Sequence, residues 1–166
     1  MWRVFCLALC LTLPACVQPP GPVSSAPSSL ADLQAMARAG DPVAQTALGD
    51  RTCCSGRGRS YAEATKWYCE AATLGHADAY YRLGQVYSGR AGRTLLGSSR
   101  QLRLTPARRD NGLAFFYFSQ AARLGSPGAQ EEADSLKLDA EDRLSADGYM
   151  AEPSAAPCLY DDVFQP

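Results

Sequence analysis

The stretch Ala64-Thr65-Lys66-Trp67-Tyr68-Cys69-Glu70-Ala71-Ala72-Thr73-Leu74-Gly75-His76-Ala77-Asp78-Ala79-Tyr80-Tyr81-Arg82-Leu83-Gly84 decides the fold. With Tyr61 just before it, Ala64, Trp67, Tyr68 and Ala71 follow the i, i+3, i+4, i+7 spacing of one apolar helical face. Gly75 can take the positive φ that ends a helix, and a second helix opens directly after it. The phrase is therefore a helix hairpin. It also recurs. Ala37, Gly40, Ala44, Leu48 and Gly49 reappear 35 residues later as Ala72, Gly75, Ala79, Leu83 and Gly84. A third copy, running from Ala122 through Gly125 to Ala129, lies 50 residues further on; Ala64, Trp67, Tyr68, Ala71 and Ala72 map onto Ala114, Tyr117, Phe118, Ala121 and Ala122. One hairpin cannot bury its own apolar face, so hairpins of this kind stack on their neighbours. The expected fold is all-α, a short α-solenoid of helix-turn-helix repeats over residues 30–138.

Within that stack, small residues such as Ala44, Ala79 and Ala129 let two helices approach, with the aromatics filling the space beside them. The residues resemble the Sel-one-like repeat family, a relative of the tetratricopeptide repeat. Its pattern of Ala…Trp-Tyr…Ala-Ala, Gly-His-Ala and Ala…Leu-Gly is similar to Ala64, Trp67, Tyr68, Ala71, Ala72, Gly75, His76, Ala77, Ala79, Leu83 and Gly84. The first copy lacks the leading aromatics and the third lacks the closing Leu-Gly, as capping repeats do. The resemblance implies an interaction scaffold. It also brings in cysteine-rich relatives that bind or slowly hydrolyse β-lactams, whose pattern has two cysteines bracketing a seven-residue turn. The turn after Glu70-Ala71 has no such pair, which weakens that implication.

Ahead of the repeats, Arg3 and the apolar run over residues 4–13 form a secretory signal, too short to span a membrane. Leu13-Pro14-Ala15-Cys16 resembles the lipobox of bacterial lipoproteins, with Pro14 its unusual member. Residues 1–15 are thus expected to be removed and Cys16 lipidated. Residues 16–29, with Pro19, Pro20, Pro22 and Pro27, make an extended tether that cannot bury apolar surface. No aspartate follows Cys16, which by the lipoprotein sorting pattern implies an outer-membrane anchor facing the periplasm.

In such an oxidising compartment, Cys53, Cys54, Cys69 and Cys158 allow three connectivities. The vicinal Cys53–Cys54 bridge is the least expected. Cys69 is expected to pair with Cys53 or Cys54, closing a loop of about 15 residues worth roughly 3 kcal/mol, with Cys158 on the remaining partner.

Net charge is −1, but it is unevenly laid out. Residues 51–109 hold eleven basic and three acidic side chains; from residue 131 onward there are two basic and ten acidic. The third copy is delayed by an insertion over residues 90–109 carrying Arg90, Arg93, Arg100, Arg103, Arg108 and Arg109 and no acid. This segment is either a recognition loop for an anionic partner, peptidoglycan or anionic lipid, or a solvated insertion against which the acidic tail, residues 139–166, can lie. Nucleic acid is not an expected partner of a secreted chain.

Chemistry is sparse. His76 is the single histidine, and it opens a helix, so a zinc site lacks ligands. No nucleophile elbow, zinc-protease or phosphate-loop motif occurs, and Lys66 and Lys137 have no serine three residues before them. No catalytic residue, metal or cofactor is expected. The partners expected are envelope proteins met along the solenoid and the membrane through Cys16. Tyr80, Tyr81 and Tyr87 are candidate contact residues, with packing the stronger expectation for them and for Trp67, Tyr68, Tyr117 and Phe118.

Overall fold

The computed structural model describes residues 29–53, 60–91, 109–156 and 158. Seven α-helices occupy these residues: α1 (Leu30–Arg38), α2 (Pro42–Thr52), α3 (Tyr61–Thr73), α4 (Ala77–Tyr87), α5 (Asn111–Arg123), α6 (Ala129–Asp134) and α7 (Ala140–Ala151), followed by a 3-10 turn at Pro153–Ala155. Among the described residues there is no strand. Helices α1 to α6 pack chiefly on their neighbours in the chain, with α2 against α3 and α4 against α5 the most extensive contacts. This is the expected stack of hairpins, α1–α2, α3–α4 and α5–α6.

The turns inside the hairpins are one structure used three times. Gly40, Gly75 and Gly125 sit at φ 90°, 77° and 84°. After each, the next amide reaches back to the last turn of the helix: Asp41 to the Met36 carbonyl, His76 to Ala71, and Ser126 to Ala121. The glycine amides themselves bond Ala37, Ala72 and Ala122, completing a closure that only a residue without a Cβ makes cheaply. The following helices start from Asp41, whose carboxylate accepts from the Val43 and Ala44 amides, and from His76, which makes no side-chain cap.

Between hairpins the repeated Leu-Gly does the joining. Gly49 on α2 lies against the ring of Tyr68 on α3, and Gly84 on α4 lies against Phe118 on α5. A Cβ at Gly84 would fall 2.6 Å from the Phe118 ring, which is fully buried. Tyr68 is equally buried and donates a 2.8 Å hydrogen bond to Asp50, which also holds Arg82 of α4 at 3.0 Å. His76 adds a further tie, its Nδ1 lying 3.0 Å from the Thr46 hydroxyl.

The first part of the acidic tail expected over residues 139–166 is helical. Residues 140–151 form α7, which packs on α5. Asp139 caps it through a reciprocal capping box with Asp142. Gly112 on α5 permits the approach, since a Cβ there would meet the Asp142 carbonyl at 2.5 Å. The acids therefore cap and solvate a helix whose buried contact is Ala146.

The packing separates two glycines with opposite consequences. Gly84→Ala should destabilise the fold by about 1–3 kcal/mol, because the Phe118 ring has no space to move into. Gly148, inside α7 with no atom within 4 Å of its added Cβ, should gain about 0.5–1 kcal/mol on change to Ala. Urea unfolding followed by circular dichroism measures both; equal effects would contradict the glycine–aromatic joint.

Candidate functional site

The described surface holds a cleft of about 450 Å³ where the ends of α3, α4 and α5 meet the chain after α7. Its floor is aromatic. Tyr80 and Tyr117 stand 6.2 Å apart, Phe116 lies edge-on to Tyr117 at 5.2 Å, and Tyr87 stacks on the far side of Tyr117 at 5.5 Å. These rings project inward because Tyr80 and Tyr87 are two turns apart on α4, while Phe116 and Tyr117 occupy the buried side of α5. Gln120, one turn beyond Phe116, completes the wall. Its Oε1 accepts from Arg123 at 3.4 Å, and its buried Nε2 has no partner among the described residues. Residues 153–156 and Cys158 form the opposite side.

That side is fixed by a disulfide between Cys69 and Cys158, whose Cα atoms are 5.7 Å apart. The expected pairing of Cys69 with Cys53 or Cys54 is thereby corrected. Cys69 lies on the face of α3 that meets the C-terminal segment, so the partner is 89 residues away in sequence. Cys53, buried at the end of α2, is also disulfide-bonded; Cys54 lies outside the described residues. The Tyr117 hydroxyl is 3.6 Å from the Cys158 sulfur, which links the bond to the aromatic floor.

The remaining expectations divide. Arg90 is bound inward, paired with Glu132 and donating to Ser135 Oγ at 2.9 Å, so the start of the basic insertion is anchored on α6. This is one contact between the basic middle and the acidic end of the chain. Arg109 is exposed, with its side chain against Gly89. Arg93, Arg100, Arg103 and Arg108 lie outside the described residues, as does Cys16. Tyr87 is core, Tyr81 sits half-buried on Phe118, and Tyr80 is the one of the three that lines the cleft. Tyr68, Tyr117 and Phe118 are buried, and Trp67 is half-buried with its indole N–H on Glu63 at 2.8 Å. Among the described residues no three His, Cys, Asp or Glu side chains gather as a metal site, and no helix is long and apolar enough to cross a membrane. Sequence reasoning missed Phe116, Gln120 and residues 153–156. The recurrence in α5 could have pointed to the first two, since they flank Tyr117; nothing local marks the last.

Two outcomes follow from this geometry. Opening a bond that spans 89 residues removes on the order of 4 kcal/mol in the chain-entropy view. Cys158→Ser should therefore lower the calorimetric melting temperature by on the order of 10 °C, with an unchanged melt as the contrary result. Burial first, then Tyr87 and Tyr80, pushes the Tyr117 phenol far above its ordinary 10.0. Burial followed by the Asp50 charge does the same for Tyr68. A phenol raised in the folded state contributes stability that is whole below pH 10 and is lost as pH rises beyond it. Ultraviolet titration should show these two phenolates only as helical dichroism collapses; their appearance in the folded chain would contradict the burial.

No curated protein and no solved structure matches the chain. A family model described as Sel1 repeat matches residues 42–76 and 77–126, two units whose lengths reproduce the 35- and 50-residue offsets between the turn glycines. Each unit begins at the second helix of one hairpin and ends at the turn of the next, so it contains the Leu-Gly and the aromatic that pack together. With just over half of its length matched in this way, the chain belongs to the Sel1 repeat family.

Proposed function

We propose that this chain is a non-enzymatic envelope lipoprotein whose helical repeats mediate protein–protein interaction or the assembly of a periplasmic complex. Lipid on Cys16 would hold it at the outer membrane, and the Pro-rich tether over residues 16–29 would let the repeat domain stand off the surface. The family supports an interaction scaffold, and the observation that carries the reading is the aromatic cleft of Tyr80, Phe116 and Tyr117. Tyr80 is the partly exposed ring of the three, with Phe116 and Tyr117 buried behind it, and aromatic walls of this kind bind polypeptide well because rings bury large area at small entropic cost.

The test uses the full chain in its native envelope. A photo-crosslinking residue replaces Tyr80, at the cleft, or Leu144, which is 76% exposed on α7. One recurrent protein partner captured from position 80 and not from 144 is the expected result. Equal capture from both positions, or capture of glycan alone, would replace the scaffold reading with binding through the arginine insertion. Fractionation of Cys16→Ser beside the parent should move the protein from the membrane to the soluble periplasm; identical fractionation would refute the anchor.

A further inference from the structure

The cleft has a cover whose attachment is unlike the rest of the fold. After α7 ends at Ala151, the chain turns through Pro153–Ala155 and reaches Cys158. Among the described residues its main-chain hydrogen bonds are local: Glu152 to the Gly148 carbonyl, Ala155 to Glu152 and Ala156 to Pro153. Pro153, Ser154 and Ala155 are exposed. Ala156 and Cys158 are partly buried and pack on the core. The segment is therefore a strap fastened by one covalent bond and a small apolar contact. It has no helix-to-helix packing of the kind that holds α1 to α7.

Beneath the strap the site is unfinished. The cleft of about 450 Å³ remains between it and the rings, and among the described residues the Gln120 Nε2 is a buried donor without an acceptor. A buried unpaired donor is costly, and a main-chain carbonyl from an extended peptide would recover that cost. Aromatic-lined grooves take proline-containing extended segments in this manner, since such segments lose little entropy on binding. The strap's own sequence, Glu152-Pro153-Ser154-Ala155-Ala156-Pro157-Cys158, has that chemistry, with small uncharged residues between two prolines.

We propose that the cleft of Tyr80, Phe116, Tyr117 and Gln120 is a binding site for an extended, uncharged, Pro/Ala-rich segment of a partner protein, closed by the Cys69–Cys158 bond and opened by its reduction. The inference rests on the scaffold reading and adds the partner's chemistry and the control. The reductant is a dithiol. Its thiolate attacks Sγ of Cys158, the less buried residue of the pair, and expels Cys69 as thiolate, which takes a proton. The second thiol of the reductant then displaces Cys158, leaving two cysteine thiols on this chain and one disulfide on the reductant. Thereafter the strap competes with the partner segment only through its apolar contact and its tether to α7.

The experiment is a titration of the full chain with a fluorescent peptide of sequence Pro-Ser-Ala-Ala-Pro-Ser, read by anisotropy. The Cys158→Ser chain should bind at least tenfold more tightly than the oxidised parent, and adding Gln120→Ala should remove most of that gain. Amide exchange at residues 154–156 should rise in Cys158→Ser while exchange in α3 and α5 stays slow. Equal affinity for the oxidised and Cys158→Ser chains, or strap exchange that does not change, overturns the inference. Should Cys158→Ser melt below the assay temperature, Ala156→Arg in the oxidised chain lifts the strap with the bond intact; it should also gain peptide affinity, and no gain overturns the proposal. If position 80 captures a partner in cells while the peptide shows no preference, the strap proposal fails and the scaffold reading survives. If the peptide binds as expected and position 80 captures nothing, the scaffold reading fails.

Discussion

The contact on which this fold depends is a glycine against an aromatic ring, made twice. Gly49 receives Tyr68 and Gly84 receives Phe118, and each pair joins the second helix of one hairpin to the first helix of the next. The missing Cβ lets the ring lie on the helix backbone itself, which brings the two helices to the spacing that the alanines around them also require. Ala64, Ala71, Ala79, Ala114 and Ala121 are all essentially solvent-free for this reason. In a stack this short no distant layer can compensate for a misplaced neighbour, because each repeat touches only the next.

The polar groups at the same joints fix orientation. Asp50 accepts from Tyr68 of α3 and pairs with Arg82 of α4, so one carboxylate ties three successive helices. Arg82 and Asp50 are both partly buried, with 25% and 29% of their side chains exposed, which limits screening by solvent. Arg90 performs the corresponding task at the other end, joining the chain after α4 to Glu132 and Ser135 around α6. The aromatic rings between these ties leave the cleft as the place where the stack stops being self-filling.

The C-terminal region changes what that cleft is. A regular array would continue with another hairpin after α6. Here α6 has six residues, and α7 folds back onto α5, its approach permitted by Gly112. The strap that follows is carried by this reversal to the mouth of the cleft, where Cys158 meets Cys69. A capping helix and a covalent clasp thus occupy the position where the next repeat would have supplied side chains. Closure of the solenoid and coverage of the cleft have the same structural origin.

Much of this was legible in the residues alone, and the reason is local. The helix faces of Tyr61, Ala64, Tyr68 and Ala71, the turn glycines 40, 75 and 125, and the recurring Leu-Gly each act within a few residues or on the adjacent helix, so period and spacing expose them. His76 was placed at a helix opening by the same logic, although its bond to Thr46 on the preceding hairpin was not foreseeable. The disulfide pairing is not legible in this way, because nearness in sequence is not nearness in space. Cys69 and Cys53 lie on successive helices, whereas Cys158 comes within reach only after α7 has turned back. The site was hidden for the same cause: Tyr80, Phe116, Gln120 and residues 153–156 come from three separate segments with no shared period. Sequence by itself determined the helix hairpins and their order, since those follow from side-chain spacing and backbone φ; only the tertiary structure decided where the chain reversal carries the C-terminal strap, since that depends on which distant surfaces bury each other.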